Sequence, residues 1–194
     1  NNRIEENIIS GNKGNGITLH ALNYEEYISN NSIVKNIIGL NYNATSAIPN
    51  EQNGILISGN ANENRVDSNI IAGNLDNGIR ILDANFNEIK FNKIGVDPGI
   101  GNDENGTYIE FSDLNTIDFN TIIHNLKNGI YIQNFTPKIN YINKNYIGVD
   151  ENGYDPDKSR SNYENGIFLK VSNPYITDNT ISGHDGRGIL IIES

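Results

Sequence analysis

The chain has 194 residues and a formal net charge of −10, from 24 acidic against 14 basic side chains, and it contains no cysteine. The missing thiols exclude a disulfide framework and a thiolate metal centre. The negative charge repels phosphate backbones, so nucleic acid is excluded as a partner, and no apolar run approaches the length of a membrane span. With 37 Asn, 33 Ile and 19 Gly against 5 Pro, the composition is skewed, but its aliphatics are spread along the whole chain, which fits one ordered domain over 1–194.

Taken in chain order, one phrase recurs seven times: Asn-x-Ile-x-x-Asn-x-Ile. It begins at Asn2-x-Ile4 and returns at Asn31-x-Ile33, Asn64-x-Val66, Asn87-x-Ile89, Asn115-x-Ile117, Asn140-x-Ile142 and Pro174-x-Ile176. A second phrase, Asn-Gly-Ile-x-Ile, falls between successive copies, starting at Gly16, Gly54, Gly78, Gly106, Gly129, Gly166 and Gly188. The Ile-x-Ile alternation predicts short strands, because successive side chains of a strand point to opposite faces. Asn-Gly predicts turns, with Gly free to take positive φ. The apolar runs are too short, and too often broken by Asn and Gly, for helices.

The same phrases return in the same order every 22 to 38 residues or so. Stacking the cycles in parallel buries one continuous aliphatic column, each unit touching its neighbours. Equivalent side chains then lie about 4.8 Å apart along a common axis, and stacked Asn amides bond the Asn above and below. Asn7, Asn36, Asn69, Asn92, Asn120, Asn145 and Asn179 are expected to form one such column, a structural role rather than a catalytic one. On these phrases the chain resembles right-handed parallel β-helices of the pectin-lyase-like superfamily. The resemblance implies an all-β, single-stranded solenoid of about seven coils. It says little of activity, since that architecture hosts lyases, hydrolases, epimerases, adhesins and viral fibres.

The connector between the phrases alternates in length. It is seven residues in coils 1, 3, 5 and 7, as in Ser10–Gly16, and longer in coils 2, 4 and 6: Gly39–Gly54, Gly95–Gly106 and Gly148–Gly166. This two-coil period, with Ile94-Gly95-Val96-Asp97 and Ile147-Gly148-Val149-Asp150, resembles modules of large bacterial secreted and cell-surface proteins. The long loops either carry function on a rigid scaffold or fold over the short coils beside them.

Candidate sites follow from the columns. Asp97, Asp103, Asp150, Asp155 and Asp157 in the long loops are hard oxygen donors of the kind calcium takes. No EF-hand spacing or Gly-Gly-x-Gly-x-Asp nonapeptide accompanies them, and acidic turns are commonly just solvated, so no cofactor is required. Asp67 and Asp118 fall in one column with Lys90 between them, about 10 Å apart at the upper edge of the inverting-glycosidase range; an alternating charge ladder explains them as well. The outward column of the second phrase reads Thr18, Leu56, Arg80, Tyr108, Tyr131, Phe168, Leu190, and its three aromatics make an apolar strip to seat a glycan, a protein partner or a covering segment. His184 aligns with Asn12 and Asn74, as a turn substitution.

The expectation is a non-catalytic, secreted or cell-surface scaffold, adhesin or self-assembling fibre, a segment of a longer chain. Its expected partners are copies of itself end to end, neighbouring domains of the same protein, or a polysaccharide touched through Tyr108, Tyr131 and Phe168, with no membrane insertion. The alternative is a polysaccharide lyase or glycoside hydrolase using Asp67 and Asp118.

Overall fold

The computed structural model describes residues 1–22, 28–155 and 159–193. Its strands are two to four residues long and assemble into three seven-stranded sheets in which every pairing is parallel, from one coil to the next. The first phrase supplies two sheets. One holds Arg3–Glu5, Ser32–Val34, Arg65–Asp67, Glu88–Lys90, Thr116–Asp118, Tyr141–Asn143 and Tyr175–Thr177, and the other runs from Ile8–Ile9 to Thr180–Ile181. The second phrase supplies the third sheet: Ile17–His20, Ile55–Ser58, Ile79–Leu82, Thr107–Glu110, Ile130–Gln133, Ile167–Lys170 and Ile189–Ile192. The register is that of the repeat, with Ile33 opposite Val66 and Val66 opposite Ile89, so the expected β-helix of seven coils stands.

The interior is a column of aliphatics. Ile33, Ile38, Ile55, Ile57, Val66, Ile71, Ile79, Ile81, Ile89, Ile94 and their successors are fully buried. Each turns inward because side chains alternate along a strand: the second residue of each first-phrase strand and the first and third residues of each third-sheet strand face in.

Four asparagine ladders run along the edges of this core, where one column was expected. The foreseen ladder is continuous: each Asn Nδ2 donates to Oδ1 of the next, from Asn7 through Asn36, Asn69, Asn92, Asn120 and Asn145 to Asn179, at 2.9–3.1 Å. A second joins Asn2, Asn31, Asn64, Asn87, Asn115 and Asn140. A third joins Asn12, Asn50, Asn74, Asn102, Asn125 and Asn162. The fourth, built from the Asn of Asn-Gly, runs in the opposite sense: Asn53 donates to Asn15, Asn77 to Asn53, Asn105 to Asn77, Asn128 to Asn105 and Asn165 to Asn128.

The bends have two solutions. Between the first and second sheets the residue before the laddered Asn is left-handed in every coil: Glu6, Lys35, Ser68, Phe91, Phe119, Lys144 and Asp178 have φ of 53–56°. Non-glycine residues pay for that conformation, and here the following Asn fastens the bend from inside, as Asn92 Nδ2 does by donating to the Lys90 carbonyl at 2.9 Å. At Asn-Gly the expectation of positive φ fails, because none of these glycines is left-handed. Space is the reason for glycine instead. A Cβ on Gly78 would lie 2.7 Å from the Gly106 carbonyl and 2.8 Å from both Asn102 Nδ2 and Ile94 Cγ2.

Candidate functional site

The outer face of the third sheet carries a groove of about 400 Å³, lined by Asp76, Asn77, Arg80, Glu104, Asn105, Tyr108, Lys127, Asn128, Tyr131, Glu164 and Phe168. Two features of the repeat build it. The outward position of each Ile-x-Ile strand supplies the floor, Arg80, Tyr108, Tyr131 and Phe168, in register from coil to coil. The residue just before Asn-Gly supplies the wall, Asp76, Glu104, Lys127 and Glu164. Its volume lies in the range of small-ligand sites.

The floor is a stack along the helix axis. Tyr108 and Tyr131 have ring centroids 4.8 Å apart with planes 10° from parallel, and Tyr131 and Phe168 repeat this at 4.8 Å and 7°. The Arg80 guanidinium lies over the other face of Tyr108, 5.4 Å from its centroid. Ring faces are therefore turned to one another, which leaves ring edges for the groove, while the hydroxyls reach the neighbouring row of Glu110 and Gln133. Tyr131 Oη donates to Gln133 Oε1 at 2.5 Å. Burial, then the Glu110 carboxylate, pushes both tyrosine phenols up.

The charges are largely tied. Arg80 Nη2 donates to Glu110 at 2.6 Å, although its Nε is buried without a partner. Lys127 is 2.5 Å from Glu104, whose hydrogen bond raises the lysine pKa. Asn128 Nδ2 donates to Glu164 at 3.0 Å. A second hollow, of about 770 Å³ and apolar, lies on the same face towards the first coil, over Thr18, Leu56, Leu82 and Phe111.

The long-loop aspartates serve other partners. Asp97 accepts from His124 Nε2 and from Arg160 Nε, both at 2.9 Å. Burial pushes its carboxyl up, but these hydrogen bonds outweigh that and hold it below the ordinary value. Asp150 Oδ1 accepts the backbone N–H groups of Asn152 and Tyr154, both at 2.9 Å. Asp155 accepts from Ser159 and the Arg160 backbone. Asp103 is largely exposed, its carboxyl raised by the partial desolvation that remains and then by the charges of Glu104 and Asp76. Asp157 lies outside the described residues. Among the described residues no three carboxylate or imidazole side chains gather to hold a metal ion.

Asp67 and Asp118 both pair in register with Lys90, one on each side. Asp67 is buried and held by Arg65 and Ser68 at 2.5 Å each; Asp118 accepts from Asn143 Nδ2 at 3.0 Å. His184 occupies the laddered position, as its alignment with Asn12 and Asn74 predicts, where Nδ1 accepts the Asn162 backbone N–H at 3.2 Å. Sequence reading missed the groove wall, although a charged residue before Asn-Gly in four consecutive coils marks it. It also missed the Asp97–His124–Arg160 cluster, whose members are up to 63 residues apart and carry no common phrase.

A family model described as a right-handed β-helix region matches residues 46–194. No curated protein matches the sequence. Among solved structures the chain is similar to a crystal structure of the periplasmic alginate epimerase AlgG, with 16% identity, a TM-score of 0.58 and 98% of this chain covered. A threonine-to-asparagine variant of that epimerase matches at 19% identity, TM-score 0.56 and 99% coverage, and an aspartate-to-alanine variant at 18%, 0.56 and 98%. The chain spans 39% of the length of each. At these identities the likeness is one of fold.

Proposed function

We propose that this chain, which belongs to the right-handed β-helix family, is an extracytoplasmic module that holds a polysaccharide along the outer face of its third sheet without transforming it. The groove over coils 3 to 6 carries this reading: carboxylates, amides and phenol edges alternate along a straight trough, the mix that hydroxyl-rich chains require. Its carboxylates Glu104 and Glu164 are engaged with Lys127 and Asn128, and its Arg80 with Glu110 beside it, which suits holding a ligand more than moving protons. No helix among the described residues is long and apolar enough to cross a membrane. Display at the cell surface or secretion, alone or joined end to end with copies or neighbouring domains, is part of the same proposal.

The test is a polysaccharide screen by affinity electrophoresis and by sugar-release assays, with and without calcium. Retention by a polymer without release of sugars, weakened about tenfold by Tyr131→Ala, is the expected result. Absence of retention by every polymer sinks the reading.

The likeness to an epimerase fold favours a second reading, a polysaccharide lyase or hydrolase. Asp67 and Asp118 are its candidates, and release of unsaturated or reducing sugars that disappears in Asp118→Asn would establish it.

A further inference from the structure

We infer that the glycan taken by the third-sheet groove is an uncharged one, and that acidic polymers are turned away; this rests on the groove being the binding site. Both cations in the lining are already closed by a carboxylate, Arg80 by Glu110 at 2.6 Å and Lys127 by Glu104 at 2.5 Å. Glu164, one coil on, adds its charge to that of Glu104 on the same Lys127, and Asp76 at the other end makes no ion pair among the described residues, so the carboxylates around the groove outnumber its cations. The field they leave is negative, and it adds to desolvation nearby: burial first, then the charges of Glu104 and Asp76, raises the Asp103 carboxyl. A uronate or sulfate laid here would put like charges together in a half-enclosed trough, a juxtaposition that is strongly unfavourable.

The hydrogen-bonding inventory points the same way. Asn77 and Asn105, both in the lining, each spend one amide hydrogen on the ladder, at 3.0 Å, and an amide has a second to give. Asp76 and Glu164 offer acceptors. Donors and acceptors so interleaved match a hydroxyl, which does both, whereas a carboxylate only accepts. Alginate, the polymer named for the epimerase whose fold this chain shares, is itself a polyanion, so the groove departs from that chemistry.

Native gels cast with neutral polymers (a mannan, a mixed-linkage glucan) and with acidic ones (alginate, polygalacturonate), at low and high salt, test this on the intact chain. The expected result is retardation by a neutral polymer, insensitive to salt, with at least roughly tenfold weaker retention by either acidic polymer. Asp76→Asn combined with Glu164→Gln should narrow that ratio by letting the acidic polymers in. Both side chains are at least partly exposed, so a folding defect is not expected, and an unchanged thermal melt checks it. Retention by an acidic polymer alone overturns the inference while leaving the binding site standing. Retention by none overturns both.

Discussion

His184 shows how one side chain can set a solution property of the molecule. It takes the place of an amide in the third ladder, and its Nδ1 must be unprotonated to accept the Asn162 N–H. Burial pushes its pKa below the ordinary 6.5, with the Asn162 and Ile147 carbonyls and Asp185 opposing more weakly. The folded state therefore prefers the neutral ring. Its contribution is complete above about pH 6.5 and is lost as pH falls from there through the lower folded-state value, where the fold must take up a charge. His184→Asn, which restores the amide, should raise the melting temperature at pH 5 more than at pH 8; an equal shift at both would show that the ring does not titrate in place. Thr107 is a second departure from the repeat, a hydroxyl at an inward position between Ile79 and Ile130, with Oγ1 buried and unpaired. Thr107→Val keeps the volume and removes the unmet group, so denaturant unfolding should show a gain of about 1 kcal/mol. Both positions were legible as breaks in a pattern. The ring stacking of Tyr108, Tyr131 and Phe168 was not: the column was readable, but which way the planes turn depends on rotamers that no spacing encodes.

Among the elements, the ladders do what hydrogen bonding does elsewhere through helices. Asn92 accepts from both the backbone N–H and Nδ2 of Asn69 and donates to the Val66 and Lys90 carbonyls and to Asn120. Asn92→Ala orphans two buried donors and should cost about 3 kcal/mol or more. Asn92→Asp is the sharper probe, since a carboxylate still accepts from Asn69 but faces three acceptors with nothing to donate. Urea unfolding should find it at least as damaging as alanine; a mild effect would mean that acceptance alone sustains the ladder. The strand phrases, their order and the first ladder were plain in the sequence because each recurs in nearly every coil. The third ladder was hidden, because Asn50, Asn102 and Asn162 sit inside connectors of unequal length. The glycine of Asn-Gly was seen, but its physical cause was misassigned: crowding by the next coil, visible only once coils are stacked, replaces backbone twist as the reason.

At the level of the whole molecule, long and short connectors interlock. The short turns hand an N–H to the long loop beside them: Gly11 to the Ile48 carbonyl, Gly73 to Gly101, His124 to Arg160 and Ser161. Asp97 then ties its own loop to the coil above through His124 and to the loop beyond through Arg160. Removing residues 72–122 deletes two coils and leaves long and short alternating. Removing 95–122 deletes one and sets two short turns side by side. In thermal melts by circular dichroism the shorter, two-coil deletant should keep the more cooperative and higher transition; the reverse order would show the loops to be independent ornaments. If they are interdependent, parity becomes a heritable trait of the chain: duplication or loss within its gene is tolerated in doublets and selected against in singles, and related chains should differ in height by even numbers of storeys.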